Sequence, residues 1–223
     1  MKVHILWVPG YDSDRDAIVA KLREESTEAC LHIDPERKGL MQNWLGAVNC
    51  ALANDEQSWS VILSDDAYPY LNWQDHLSKA TNQSPEPLLG LTHFGGWGKA
   101  PLANGHAYAV GPYLVWGGAI AYHRAVLTEI ATWGAPVAQR LNYKHDDCLA
   151  AAASRRLGRQ CAMTTRALFG QPVKKSMLGH NTPIREPSLT IENSAGPPYR
   201  RSQATKVVRT GWKHIVELSE EPA

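Results

Sequence analysis

The sequence predicts an α/β fold in which helices cover both faces of a mostly parallel central sheet. Short apolar runs of strand length alternate with segments whose apolar residues recur at helical spacing. This alternation is typical of β-α-β units, which place their helices on the two faces of a parallel sheet. A chain of 223 residues with 43% hydrophobic residues can bury one substantial core, so we expect a single domain.

The individual elements follow from apolar periodicity and from the turn residues between the runs. The predicted strands cover residues 3–8, 29–33, 59–63, 87–91 and 160–163. The predicted helices begin with one capped by Ser13 or Asp14 and continue with residues 40–52, 73–81, 123–133 and 145–157. Between residues 90 and 118, glycine, tryptophan and tyrosine interleave, which favours twisted strands and ligand-lining loops. The proline-containing tail is expected to wrap the surface.

Composition excludes several classes of protein. No apolar run approaches the roughly 20 residues that a membrane-spanning helix needs. The first residues lead straight into a strand without the pattern of a secretion signal, so we expect a soluble, cytoplasmic protein with no membrane partner. The four cysteines form no Cys-x-x-Cys pair and lie among apolar or helix-forming neighbours. They are expected to be reduced core thiols rather than disulfides or zinc ligands.

Charge is unevenly distributed along the chain, although the formal net charge is only +1. Acidic residues crowd the first forty positions, and basic residues dominate from Lys174 onward. A late basic surface suits the phosphate groups of a nucleotide or a nucleic acid. It is equally compatible with an ordinary solvated surface.

An acid pair, Asp65 and Asp66, follows the strongly apolar third strand. In an open parallel sheet, ligands bind beyond the carboxyl ends of the strands. Adjacent carboxylates in that position suit a hard divalent cation, Mg²⁺ or Mn²⁺, which would neutralise the charge on a departing diphosphate. Termination of the strand, or capping of the helix that begins at Trp73, explains the pair equally well.

A second acid pair, Asp146 and Asp147, begins the predicted helix over residues 145–157. Acidic residues are stabilised at a helix N-terminus by the helix dipole, so capping is one explanation. A carboxylate that faces the gap beyond the strand ends could instead accept a proton from an attacking hydroxyl, and the neighbouring His145 could do the same.

Other residues are candidates for metal, phosphate or sugar contacts. His180 follows an apolar patch late in the chain and could complete a metal site through an imidazole nitrogen. Arg15 and the pair Lys174-Lys175 are candidate phosphate contacts. Three aromatic residues of the glycine-rich region could stack on a sugar or a base, although such residues are more often part of a core. They are Trp97, Tyr113 and Trp116.

Taken in chain order, these pieces resemble the GT-A glycosyltransferases. The matching segments are the first strand with Arg15, a helix with Asn43-Trp44 and Asn49, the motif Val61-Ile62-Leu63-Ser64-Asp65-Asp66-Ala67, the segment Trp116-Gly117-Gly118-Ala119-Ile120-Ala121-Tyr122-His123-Arg124, and His145-Asp146-Asp147. The resemblance implies a GT-A-like catalytic domain over residues 1–182. A basic, proline-containing extension over residues 183–223 would pack on the same domain.

The resemblance implies a metal-dependent, inverting transfer of a hexose-type sugar from a nucleoside-diphosphate-sugar, preferably a UDP-sugar, to an acceptor hydroxyl. It implies that Asp66, with Asp65 and His180, binds Mn²⁺ or Mg²⁺, and that Asp147 or Asp146 deprotonates the acceptor. The expected contacts to the nucleotide sugar are Val8, Pro9, Arg15, Asn43, Ser64, Asp65, Gly117, Gly118, Lys174 and Lys175. The expected acceptor contacts are Trp97, Trp116 and His145.

The usual Asp-x-Asp motif of that family reads Ser64-Asp65-Asp66 here, so Asp66 becomes the expected main metal ligand. The strand-Asp-Asp-Ala segment and the late Ser-x-Leu-Gly-His also resemble small glycosyltransferase-like proteins of bacteriophages. That resemblance implies a hydroxymethylated DNA base as the acceptor, in the host cytoplasm. Phosphate contacts from the basic C-terminal third would position the duplex.

Two other functions fit parts of the pattern. A nucleotidyltransferase also places acids and a metal beyond a parallel sheet, but it usually needs a glycine-rich, basic loop after the first strand. The loop here reads Pro9-Gly10-Tyr11-Asp12-Ser13-Asp14, which is acidic and poor in glycine. A non-catalytic module that binds nucleic acid or carbohydrate would leave the two acid pairs unexplained.

Overall fold

A computed structural model describes residues 1–36, 39–53, 57–93, 99–114, 117–172, 189–192, 204–206 and 213–222. The strands are β1 (Lys2–Trp7), β2 (Cys30–Ile33), β3 (Trp59–Ser64), β4 (Tyr68–Pro69), β5 (Leu88–Gly90), β6 (Tyr108–Gly111), β7 (Ala119–His123), β8 (Cys161–Thr164), β9 (Phe169–Gly170) and β10 (Ala204–Lys206). The helices are α1 (Ser13–Glu25), α2 (Leu40–Leu52), α3 (Trp73–Gln83), α4 (Lys99–Ala103), α5 (Arg124–Glu129), α6 (Ala135–Leu141), α7 (Asp146–Arg156) and α8 (Lys213–Ser219). A π-helical turn, Ile130–Gly134, joins α5 to α6.

Eight of these strands form one sheet in the order β10-β6-β8-β5-β7-β3-β1-β2. Strands β1, β2, β3, β5 and β8 run in one direction, and β6, β7 and β10 run in the other. The predicted α/β class with a mostly parallel sheet is confirmed. The antiparallel course of β7 between β3 and β5 was not predictable, because side-chain periodicity carries no information on strand direction.

Helices cover both faces of the sheet, as the alternation of strands and helices predicts. Successive side chains of a strand point to opposite faces, and in β3 both faces are apolar and buried. Val61 and Leu63 pack in a core with α1 and α3, whereas Ile62 packs in a core with α2, α5 and α7. Leu22 of α1 and Trp44 of α2 are both fully buried in these two cores.

The register of the sheet brings the carboxyl ends of the first three strands to one edge. Leu6 of β1 pairs with Ser64 of β3, and Trp7 pairs with Ile33 of β2. The backbone amide of Ser64 donates to the carbonyl of Gly118 at 2.8 Å, which brings the start of β7 to the same edge. Loops that follow these strands therefore open onto a common surface, called the carboxyl edge below.

Two segments differ from the sequence-based expectation. The helix predicted to end at residue 133 continues to residue 141 through the π-helical turn, and Pro136 is tolerated in the first turn of α6. In the tail, α8 packs on α7 and buries Ile215 and Leu218 in the core, so this part of the tail is not a surface wrap. The predicted boundary at residue 182 lies outside the described residues and stays a prediction. Within the described ranges, no helix combines the length and the apolar character that crossing a membrane requires.

Candidate active site

The first acid pair lies at the carboxyl edge, directly after β3. The side chains are almost removed from solvent, since Asp65 is 3% exposed and Asp66 is 6% exposed. Burial of an ionised carboxylate is unfavourable unless an opposite charge or hydrogen bonds compensate it. Asp65 and Asp66 can therefore be ionised in this position only if neighbouring groups compensate their charge.

Arg15 of α1 supplies the opposite charge for both acids. One terminal nitrogen, Nη1, forms an ion pair with Asp65 Oδ1, and the other, Nη2, lies 3.1 Å from Asp66 Oδ2. The arginine is itself buried, with 3% exposure. Burial opposes the charged guanidinium, but the charges of Asp66 and Asp65 outweigh this and raise the pKa of Arg15. One guanidinium facing two carboxylates leaves a net negative charge.

Burial raises the pKa of Asp65, and the charge of Arg15 only partly offsets that effect. A neighbouring negative charge on Asp66 raises the pKa of Asp65 further. A cation bound beside these carboxylates would act in the opposite direction, because it favours their ionised form.

Hydrogen bonds fix the orientation of both carboxylates. The backbone amide of Val8 donates to Asp65 Oδ2 at 3.3 Å. The hydroxyl of Ser64 donates to Asp66 Oδ1, and Nε2 of Gln171 donates to Asp66 Oδ2 at 2.8 Å. Each carboxylate offers about four acceptor positions, so with these partners both acids keep lone pairs for a hard cation, and Asp65 keeps more than Asp66.

A cavity of about 90 Å³ lies beside Asp65 and is called the first cavity. Five predicted contacts of the nucleotide sugar line it, namely Val8, Arg15, Asn43, Ser64 and Asp65. The amide of Asn43 donates to the backbone carbonyl of His32 at 2.9 Å, which fixes α2 against β2.

A second cavity of about 180 Å³ shares three lining residues, Leu6, Leu40 and Ser64, with the first cavity. Its other lining residues come from β3, from the loop before β7 and from the start of α7. They are Ile62, Gly117, Gly118, Lys144, His145, Asp146 and Asp147. The fold therefore brings the two acid pairs, 80 residues apart in the chain, to adjoining cavities at one edge of the sheet.

The second acid pair lies in the first turn of α7, against the glycine loop. Asp146 is 8% exposed. Burial first, and then the charge of Asp147, raise the pKa of Asp146 to about 7. A Cβ atom at Gly117 would lie 3.1 Å from Asp147 Cβ and 3.3 Å from Asp146 Oδ1. The absence of a side chain at Gly117 therefore permits this close approach.

The remaining predicted site residues either lie away from the two cavities or fall outside the described residues. Pro9 is half-buried in the turn after β1, and neither Pro9 nor Asp66 lines either of these two cavities. Tyr113 is buried in the core. His180, Lys174, Lys175, Trp97 and Trp116 lie outside the described residues, so their roles stay predictions.

Three further polar residues reach the site without having been singled out from the sequence. Asp34 follows β2 and lines the first cavity, Lys144 is exposed on the second cavity, and Gln171 binds Asp66. The position of Asp34 after a strand and the Lys144-His145-Asp146-Asp147 run were signals that could have identified two of them. Gln171 carries no local signal, because only tertiary folding brings it to Asp66.

A larger cavity lies away from these acids. Its volume is about 630 Å³, and it is lined by residues such as Trp59, Pro87 and His123. Trp59 begins β3, so this cavity lies at the opposite edge of the sheet. We place the candidate site at the two smaller cavities, because ligands of open α/β sheets bind beyond the carboxyl ends of strands and because the acids converge there.

The Arg15 ion pairs predict a large effect on stability. Replacing Arg15 with methionine keeps much of the side-chain volume but leaves two buried carboxylates without a counter-charge. We expect Arg15→Met to lower the free energy of unfolding at pH 7 by about 3–5 kcal/mol. Arg23→Met, at an exposed position of α1, should change it by less than about 0.5 kcal/mol. Urea unfolding measures the free energy of unfolding of both variants. Equal losses in the two variants would contradict a stabilising role of the Arg15 ion pairs.

The raised pKa of Asp146 predicts a specific pH dependence of stability. Between the unfolded value of 3.8 and about 7, the folded state retains a proton that the unfolded state has lost. The free energy of unfolding must therefore fall as pH rises through this window, by at most about 4 kcal/mol from this group. Asp146→Asn should remove that contribution, so the variant gains stability relative to the unmodified protein as pH rises from 4 to 8. Asp75→Asn, an exposed acid in the first turn of α3, is the control and should not change the slope.

No family model matches the sequence, and no curated protein matches it. Among solved structures, the fold is similar to that of the mannosyltransferase PcManGT from Pyrobaculum calidifontis, solved in complex with GDP-Man and Mn²⁺. The TM-score is 0.43 and the sequence identity is 15%, over 72% of this chain and 53% of that chain. The chain thus corresponds to about half the length of that neighbour.

Proposed function

We propose that this protein is a metal-dependent glycosyltransferase that moves a sugar from a nucleoside-diphosphate-sugar to an acceptor hydroxyl. The observation that supports this most is that Asp65, and Asp146 with Asp147, line adjoining cavities that share Leu6, Leu40 and Ser64. The first acid pair offers the hard oxygen ligands of a cation site, and Asp146 has the raised pKa of a general base. A glycosyl transfer needs both functions a short distance apart.

On the donor side, Asp65 and Asp66 would hold Mn²⁺ or Mg²⁺ through the lone pairs that their hydrogen bonds leave free. The cation would supply positive charge to the diphosphate as it departs. Arg15 acts here as a positioning residue, because its two ion pairs set the separation and the tilt of the carboxylates. Lys144 is exposed on the adjoining cavity and is suited to a phosphate contact, as Lys174 and Lys175 are by sequence.

On the acceptor side, Asp146 is the better candidate for the base. A base works best when its pKa lies near the operating pH, and the pKa of Asp146 is about 7. The acceptor oxygen attacks the anomeric carbon while its proton passes to Asp146. The bond from that carbon to the diphosphate oxygen breaks, and the electron pair leaves with the diphosphate. Direct displacement of this kind inverts the anomeric centre.

The loop after β1 argues against a nucleotidyltransferase. A loop that holds a triphosphate must offer free backbone amides to it. Here the amide of Gly10 donates to both oxygens of Asp16, at 3.3 Å and 3.2 Å, and the side chain of Asp12 accepts from the amide of Asp14. Acidic side chains thus occupy amides that a triphosphate would need.

The donor base and the acceptor are proposed on the sequence resemblance. A UDP-sugar is the favoured donor, and a hydroxymethylated base in DNA is the proposed acceptor. Much of the basic C-terminal stretch that would contact DNA lies outside the described residues. A screen of nucleoside diphosphates and their sugars by thermal shift, with and without Mn²⁺, tests the donor class because a ligand of the folded state raises Tm. A uniform lack of any shift would overturn the proposal.

The acid pair predicts a metal-dependent effect on donor binding. We expect Asp65→Asn and Asp66→Asn each to weaken Mn²⁺-dependent binding of uridine diphosphate on the order of 100-fold, since each loses a charged ligand. Calorimetric titration measures the affinity, and Tm of each variant verifies folding. Asp75→Asn is the matched surface control. Unchanged Mn²⁺-dependent binding in Asp66→Asn would refute its assignment as a metal ligand.

The glycine loop predicts a catalytic effect that can be separated from stability. A methyl group at Gly117 would force Asp146 or Asp147 to move by a few tenths of an ångström, so we expect Gly117→Ala to lower the rate of Mn²⁺-dependent sugar-nucleotide hydrolysis by about tenfold or more. Gly46→Ala is the control, because a Cβ there meets no atom within 4 Å. Because Gly46 lies in α2, Gly46→Ala should leave the hydrolysis rate unchanged and stabilise the fold by about 0.5–1 kcal/mol. Equal rates in both variants would argue against a role for the α7 acids.

A further inference from the structure

A cluster of imidazole and thiol groups lies between the sheet and α2, away from the acid pairs. His4 of β1, His32 of β2 and Cys50 of α2 each direct one potential ligand atom to a common point, and these atoms all lie within 4.8 Å of one another. A fourth group, the thiol of Cys30, is in hydrogen-bonding contact with Cys50. Two nitrogen donors and one sulfur donor therefore meet in one place, and a second thiol adjoins the first.

The register of the sheet explains why these residues converge. His4 pairs with Cys30, and Leu6 pairs with His32, so these side chains point to the same face of β1 and β2. Leu6 packs in the core with Trp44 of α2, which identifies that face as the one that α2 covers. Cys50, near the end of α2, contributes its thiol to the cluster from the helix that covers this face.

His4 is the most informative member of this cluster. Its side chain is fully buried, and its Nε2 atom has no hydrogen-bond partner among the described residues. Its Nδ1 atom lies 3.0 Å from Nε2 of His32. A buried ring nitrogen without a partner is unfavourable, so the protein's own hydrogen bonds do not account for the burial of this ring. The nitrogen shown to face His32 is Nδ1.

We infer that His4, His32, Cys50 and Cys30 form a binding site for Zn²⁺, separate from the proposed Mn²⁺ or Mg²⁺ site at Asp65 and Asp66. Two histidine nitrogens and two cysteine sulfurs are a usual ligand set for tetrahedral zinc. At bond lengths of roughly 2.0–2.3 Å, neighbouring ligand atoms of a tetrahedron lie roughly 3.3–3.8 Å apart. The ligand atoms of His4, His32 and Cys50 already lie within 4.8 Å of one another, so these three would have to draw together to reach that spacing.

The thiols would bind zinc as thiolates. Zinc binding would displace one proton from each coordinating thiol to solvent and form a zinc–sulfur bond in its place.

Zinc in this position would join three elements that build the first cavity. β1 continues into Val8, β2 continues into Asp34, and α2 carries Asn43, all of which line that cavity. Asn43 already donates to the carbonyl of His32 at 2.9 Å. A metal that holds β1, β2 and α2 together would thus stabilise the wall of the first cavity without touching a ligand there.

Cobalt substitution tests this inference directly. The full-length protein, reduced and stripped of metal with a chelator, is titrated with Co²⁺ and then with Zn²⁺. We expect one thiolate-bound Co²⁺ per chain, with the visible bands of tetrahedral cobalt and a thiolate charge-transfer band, both removed by one equivalent of Zn²⁺. Zinc should also raise Tm. Oxygen ligands at Asp65 and Asp66 give no thiolate band, so the two metal sites are distinguishable.

Matched variants distinguish the proposed metal ligands from a cysteine outside the cluster. Cys50→Ala and His32→Gln change half-buried residues and should weaken Co²⁺ binding on the order of 100-fold or more, with loss of the charge-transfer band in Cys50→Ala. Cys161→Ala removes a buried thiol outside the cluster and should leave binding within about twofold. Absence of a thiolate band, or an unchanged affinity in Cys50→Ala, would overturn the inference and leave a simple hydrogen bond between the two histidines.

Discussion

The buried ion pairs of Arg15 with Asp65 and Asp66 are the interaction on which the rest of the site depends. They join the first turn of α1 to the end of β3, across 50 residues of chain. Two carboxylates this deeply buried could not remain ionised together without a cation beside them. Arg15 therefore permits a strand to end in two acids at the carboxyl edge, where Asp65 lines the first cavity.

Within the described ranges, Arg15 is the cation paired with both acids, so two ionised carboxylates would keep one negative charge that a further cation could neutralise. A carboxylate pair matched by two cations would have little affinity for a third. With one guanidinium shared between two acids, the buried pair still favours an additional positive charge. The hydrogen bonds from Val8, Ser64 and Gln171 hold the oxygens in place, so little reorganisation is needed when a cation binds.

The two acid pairs differ because their surroundings differ. Asp65 and Asp66 face a guanidinium, whereas among the described residues Asp146 has no ion-pair partner and lies beside a second acid. Arg15 partly offsets the effect of burial on Asp65, whereas burial and the charge of Asp147 together favour retention of a proton on Asp146 up to about pH 7. Similar residue pairs in adjoining parts of the site thus have different electrostatic surroundings. Gly117 contributes by letting the start of α7 approach the glycine loop closely.

The sequence by itself determined the α/β class, most element positions and the two acid pairs, because apolar periodicity and strand-end acids are local properties of the chain. Helix α2, for example, has the bounds that its periodicity predicts, residues 40–52. Only the tertiary structure decided the antiparallel course of β7, the packing of α8 on the core and the contact of Gln171 with Asp66. It also assembled His4, His32 and Cys50 into one cluster, although the scattered cysteines had indicated core thiols alone. These features depend on strand direction, register and long-range contacts, which leave no periodic signal in a single sequence.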